Sequence, residues 1–125
     1  MLKMNKITVK VPYTPPSVNS YWVRNKGGGV RVSDRGREFK QNVSDYVFYN
    51  CGLPKTPVFK TNRIKINLTL NFKENRKRDI DNYCKAIFDA LTGILWEDDS
   101  QIVSLHIDRN IGTKQPDNFI LEVWE

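Results

Sequence analysis

Between Arg63 and Phe72 every second side chain is apolar. Ile64, Ile66, Leu68, Leu70 and Phe72 alternate with Arg63, Lys65, Asn67, Thr69 and Asn71. A period of two belongs to a strand and not to a helix. The run is therefore a strand with one buried and one polar face, and it commits the chain to a sheet.

The rest of the chain arranges itself around that strand. Ile7, Val9 and Val11 alternate with Lys6, Thr8 and Lys10, which predicts a half-buried strand that Pro12, Pro15 and Pro16 end. Two short apolar runs, Trp22-Val23 and Val30–Val32, flank Gly27-Gly28-Gly29 and predict a hairpin or loop. Ser33 is a good N-cap and Asp34 suits a helix N-terminus. Phe39, Val43, Tyr46 and Val47 then recur at helical spacing, predicting a helix over about 34–50 that Gly52 and Pro54 end. A second helix should begin near Asp79–Asn82. Its apolar face is Tyr83, Cys84, Ile87, Phe88 and Leu91, with Gly93 as its stop. A strand over about 101–109, a turn from Gly112 to Asp117 and a strand through Phe119, Leu121 and Val123 complete the chain. This order predicts an α+β (mixed α/β) fold, a single mixed sheet with two helices.

Size and charge narrow the class. A chain of 125 residues suits one domain over 1–125, and 39% hydrophobic residues are enough for a core. Twenty Lys and Arg against 14 Asp and Glu leave a net charge of +6, which favours an acidic partner, nucleic acid being the commonest. Cys51 and Cys84 form no CxxC pair and His106 is the single histidine, so a structural zinc site is not expected. Free thiols, an N-terminus (Met1 to Lys6) without an apolar signal core and no membrane-length apolar run predict a cytoplasmic protein. Neither membrane attachment nor a small-molecule organic cofactor is expected.

The chemistry concentrates in two places. One reads Arg78-Asp79-Ile80-Asp81-Asn82-Tyr83-Cys84-Lys85 and the other Trp96-Glu97-Asp98-Asp99-Ser100. If the chain is extended at Asp79 and Asp81, both carboxylates point to one side. Their site would lie at a strand end and helix start, where backbone N–H groups also face an anion. Asp98 or Asp99 arrives from the turn after the helix, which can run back along the sheet and bring them near. Singly, Asp79 or Asp81 reads as a helix cap and Asp98-Asp99-Ser100 as an exposed turn. Crowded together, they repel unless a cation is present. Oxygen donors alone point to Mg²⁺, or Mn²⁺ in its place, over zinc.

Lys85 stands four residues after Asp81 and four before Asp89. It reads either as half of a helix ion pair or as a cation beside a scissile phosphate. Lys73, Arg76, Lys77 and Arg78, with Arg63 and Lys65 on the strand upstream, predict a continuous phosphate-binding face. Tyr13, Tyr21 and Trp22 either stack on bases or pack in the core. His106 reads as a sheet residue and Cys84 as core.

Two stretches resemble the RusA family of Holliday junction resolvases, found in bacteria and their prophages. One runs from Arg78 through Lys85, Phe88-Asp89-Ala90-Leu91-Thr92 and Trp96–Ser100 to Val103. The other comprises Pro12–Trp22 and Val32–Phe39. The resemblance implies a catalytic aspartate pair at Asp79 and Asp81, a third catalytic aspartate at Asp99 with Asp98 as an additional candidate, and an essential lysine at Lys85. It implies a Mg²⁺-dependent homodimer that binds branched DNA and resolves four-way junctions by paired symmetric nicks, in recombination and repair. Two alternatives stand beside it: a non-catalytic DNA-binding protein that keeps the fold, and a metal nuclease for other branched DNA.

Overall fold

The structure, a computed structural model, describes residues 6–53 and 56–125. Strand β1 (Lys6–Val11) leads through the proline-rich segment to one helical turn, α1 (Val18–Tyr21). β2 (Trp22–Arg24) and β3 (Val30–Val32) make a hairpin, and α2 (Asp34–Cys51) follows. Next come β4 (Ile64–Phe72), a 3-10 turn (Ile80–Tyr83) and α3 (Cys84–Leu91). A second 3-10 turn (Asp99–Gln101), β5 (Ile102–Ile111) and β6 (Asn118–Trp124) complete the order.

The alternating run becomes β4, and its five apolar side chains are at most 1% exposed. It lies inside a four-stranded sheet of order β1-β6-β4-β5. β6 is antiparallel to both β1 and β4, whereas β5 is parallel to β4. A parallel neighbour needs a crossover, and the segment containing α3 supplies it. Register lines up apolar rows across the strands: Val9 faces Leu121, Leu121 faces Leu68, and Leu68 faces Ile107. Phe39, Val43 and Val47 of α2 join Ala86, Ile87, Ala90 and Leu91 of α3 in the same core cluster. Each fully buried Val, Ile, Leu or Phe contributes about 1.5–3 kcal/mol, so the sheet and its two helices hold together through this layer.

The α+β reading with a mixed sheet and two main helices is met. The hairpin differs, forming its own two-stranded sheet. Its strands are three residues each and pair only with one another. The second helix also starts later than expected, at Cys84, because Ile80–Tyr83 winds as 3-10, a common tightening at helix N-termini. The caps behave as read: Ser33 Oγ accepts the Gly36 N–H at 3.0 Å, and Gly52 ends α2 at φ +62°. Pro54 as a helix stop, and the reading of Met1–Asn5, lie outside the described residues.

Candidate active site

Asp79 is extended (φ −83°, ψ 127°) and opens the first 3-10 turn without a side-chain cap bond, while Asp81 lies inside that turn. The extended geometry that would align the two ends at Asp79. Both are nevertheless exposed and line one open cleft of about 470 Å³, with Arg78, Ile80, Ile107, Asp108 and Arg109. Asp108 was not among the expected site residues. Its carboxylate lies 3.1 Å from His106 Nε2, two residues earlier on β5.

The acidic doublet divides its work. Asp98 caps the second 3-10 turn, accepting the Ser100 N–H at 3.0 Å and the Ser100 hydroxyl. These bonds hold its carboxyl below the ordinary carboxylate value. Gln101 completes the box: its amide oxygen accepts the N–H groups of Glu97 and Asp98, and its nitrogen donates to Phe59 O and Asn62 O. Asp99 is held differently. Its Oδ1 accepts from the Trp96 indole N–H at 2.9 Å and lies 2.6 Å from Thr92 Oγ1. That hydroxyl also lies 2.7 Å from Phe88 O, and its one proton serves one acceptor at a time.

Asp99 does not join Asp79 and Asp81. The eight residues of α3 stand between them, about 12 Å of helix. Along β5, the six steps from Ile102 to Asp108 span about 20 Å at the rise of a strand. Among the described residues no group of three His, Cys, Asp or Glu side chains forms a metal-binding set. The expected triad is therefore not assembled within one chain. Helix α3 does run back along the sheet, but it delivers Asp99 to the opposite end of β5. The Asp79–Asp81 pair alone suits Mg²⁺, which is commonly bound by one or two carboxylates with water and substrate phosphate completing its shell.

Lys85 Nζ lies 3.2 Å from Asp89 Oδ1 and 5.9 Å from the centroid of the Trp22 ring, so the free chain forms the helix ion pair. The Tyr21 hydroxyl donates to Asp89 Oδ2 at 2.7 Å. Burial, and then the Asp89 carboxylate, raise this phenol above the ordinary phenol range. Tyr21 is a core residue with a polar tip, Tyr13 packs edge-on against Tyr46, and Trp22 keeps an exposed ring. The Cys84 thiol is pushed up to about 11 by burial and then by the charge of Asp81, so it stays protonated at neutral pH.

The basic residues form two groups. Lys73, Arg76 and Arg78 line a cleft of about 520 Å³ with Arg35, Tyr83 and two acids, Glu74 and Asp117. Lys77 lines the adjoining cleft with Arg78, Asp79 and Asn82. Arg78 thus borders three hollows that lead from cations to carboxylates. Its guanidinium lies 4.1 Å from the Phe72 ring centroid, Nη1 donates to the Tyr83 hydroxyl at 3.4 Å, and buried Nε has no partner. Arg63 and Lys65 sit at the other end of β4, and eight strand steps from Lys65 to Lys73 are about 26 Å. The expected continuous basic face is therefore split. Arg35, the added cation, lies within the N-terminal stretch that carried the resemblance.

A family model described as endodeoxyribonuclease RusA matches residues 12–120. The chain belongs to the RusA family. This match encloses both motif stretches in full. RusA-family relatives include the crossover junction endodeoxyribonuclease of Enterobacteria phage HK97, 30% identical over 109 residues and covering 86% of each chain. The protein of that name in Escherichia coli K12 is 33% identical over 115 residues, or 89% of this chain and 88% of its own. That of Enterobacteria phage 82 is 32% identical over the same shares. No described helix is long and apolar enough to cross a membrane.

Proposed function

We propose that this RusA-family chain is a Mg²⁺-dependent endodeoxyribonuclease that resolves four-way DNA junctions. It works as a homodimer, by paired symmetric nicks in recombination and repair, with residues 1–125 acting as one domain. The observation that carries this reading is the run of clefts that Arg78 borders, with four cations beside Glu74 and Asp117 at one end and Asp79 and Asp81 at the other. A pure phosphate binder gains nothing from carboxylates there, whereas a phosphodiesterase needs both.

Asp79 and Asp81 would hold Mg²⁺, with Mn²⁺ able to substitute. The ion, when bound, supplies Lewis-acid charge and an acidified water for phosphodiester hydrolysis. Lys73, Arg76, Lys77, Arg78 and Arg35 seat backbone phosphates of the DNA arm entering the site. Arg63 and Lys65 meet a second arm at the far end of the sheet. Lys85 stabilises charge that develops on the scissile phosphate. Asp99 takes part only if the chain rearranges or a second copy supplies it. The homodimer is supported by β5, a ten-residue edge strand where the apolar row leaves its helical cover. Val103, Leu105 and Ile111 are 56%, 41% and 43% exposed there, and Ile80 adds 39%. Long bare edges of this kind invite pairing with another chain.

One observation favours a second reading, a junction-binding protein without catalysis: the three aspartates do not gather in one chain. Asp81→Asn decides between them. It should abolish Mg²⁺-dependent cleavage while junction binding is kept or strengthened, because a negative charge facing phosphates is removed. Wild-type protein that binds junctions but never cuts would establish the second reading. Cleavage of flaps or forks in preference to four-way junctions would point to a nuclease for other branched DNA.

A further inference from the structure

Lys85 has a partner that is itself held by a buried tyrosine. An exposed lysine–aspartate pair four residues apart on a helix is weak and mobile on its own. Asp89 departs from that case, because its side chain is only 22% exposed and its second oxygen accepts the Tyr21 hydroxyl. Tyr21 is 1% exposed and cannot swing. Its carbonyl accepts the Ser33 N–H at 2.7 Å, and Ser33 Oγ donates to Ser20 O at 2.6 Å. Its ring lies against Gly36, where a Cβ would stand 2.9 Å from Tyr21 Cδ1. The next residue, Trp22, packs edge-on against the Tyr21 ring and lies on the Lys85 side.

We propose that Asp89 and Tyr21 are positioning residues for Lys85: α1 and the N-terminus of α2 fix the Asp89 carboxylate, which fixes the ammonium beside Trp22 on α3. This inference rests on reading Lys85 as the cation at the scissile phosphate. The physical reason is the flexible four-carbon stem of lysine, which by itself samples many positions. A buried anchor limits those positions before DNA arrives, and preorganised charge stabilises a transition state better than mobile charge. A need for structure alone would be met by the Tyr21–Asp89 bond, without giving the other oxygen to a half-exposed cation.

The test is single-turnover cleavage of a four-way junction in Mg²⁺ by the full chain. The variants are Lys85→Ala, Asp89→Asn, Tyr21→Phe and the Lys85→Ala/Asp89→Asn double variant. Lys85→Ala should slow cleavage roughly 100-fold or more. Asp89→Asn should slow it roughly 10- to 100-fold, and Tyr21→Phe less, with junction affinity unchanged within about twofold. The double variant should be no slower than Lys85→Ala, because Asp89 acts through Lys85. Multiplying effects in the double variant, or wild-type cleavage by Asp89→Asn, would overturn the inference and leave the proposed function intact. Faster cleavage by Asp89→Asn would overturn it too, showing that the pair restrains Lys85. Wild-type cleavage by Lys85→Ala would remove Lys85 from the proposed site and the inference with it. Tyr21→Phe keeps the ring, so a rate loss measured well below that variant's own Tm separates positioning from folding.

Discussion

At the scale of single residues, the two members of the Asp98-Asp99 doublet are not equivalent. Asp98 caps a turn, and its bonds to Ser100 hold its carboxyl below the ordinary value of 3.8. A carboxyl depressed in the folded state stabilises fully above the unfolded value, and that contribution fades as pH falls through the lowered one. Asp98→Ala should therefore lower Tm at pH 7, by an amount that shrinks below about pH 4, and should leave cleavage in place. Asp99→Asn keeps an oxygen for the Trp96 indole, so Tm should hold, and where a second copy supplies Asp99 to the site, cleavage should fall roughly 100-fold or more. Melts at the two pH values beside a cleavage assay check both, and the opposite pattern would exchange the roles. The doublet was legible as acidic and as a turn. Which aspartate caps depended on Ser100, Gln101 and Trp96 converging, a matter of three dimensions and not of spacing.

At the scale of elements, legibility followed burial. β4 alternates because one face is covered throughout, and the caps of α2 are local hydrogen bonds that Ser33 and Gly52 announce themselves. The relation of α3 to its flanking turns was harder to read. Whether a connection returns a residue to a site or carries it past depends on helix length along the sheet, and α3 carries Asp99 past. The contact between α1 and α2 was likewise hidden in one glycine. At Gly36 a Cβ would stand 2.7 Å from Val32 Cγ1 and 2.9 Å from Tyr21 Cδ1. Gly36→Ala gains at most about 1 kcal/mol in helix propensity, whereas overpacking costs about 1–3 kcal/mol. The variant should be less stable by up to about 2 kcal/mol in denaturant melts and should cut more slowly, as the Tyr21 hydroxyl is pushed off Asp89. A more stable Gly36→Ala variant would show that Tyr21 yields without cost.

At the scale of the molecule, charge and shape divide the surface by task. The net charge of +6 predicted an acidic partner but not where it sits. The structure places Lys77 and Arg78 beside Asp79, Lys73, Arg76 and Arg35 in the cleft that adjoins through Arg78, and Arg63 with Lys65 at the other end of β4. Two basic regions separated by a strand suit a substrate with more than one arm better than a single groove does. β5 exposes Val103 and Leu105 toward one end and Ile111 past the residues that meet Asp79 and Asp81, so a second copy seated along this edge would set two sites about one axis. The measurement that tests this most directly follows nicks in each strand of a labelled four-way junction and in a matching linear duplex, with Mg²⁺ and with EDTA. Symmetric paired nicks in the junction alone, abolished by EDTA, are the predicted result. Equal cutting of duplex, single unpaired nicks, or no cutting in either Mg²⁺ or Mn²⁺ would contradict it.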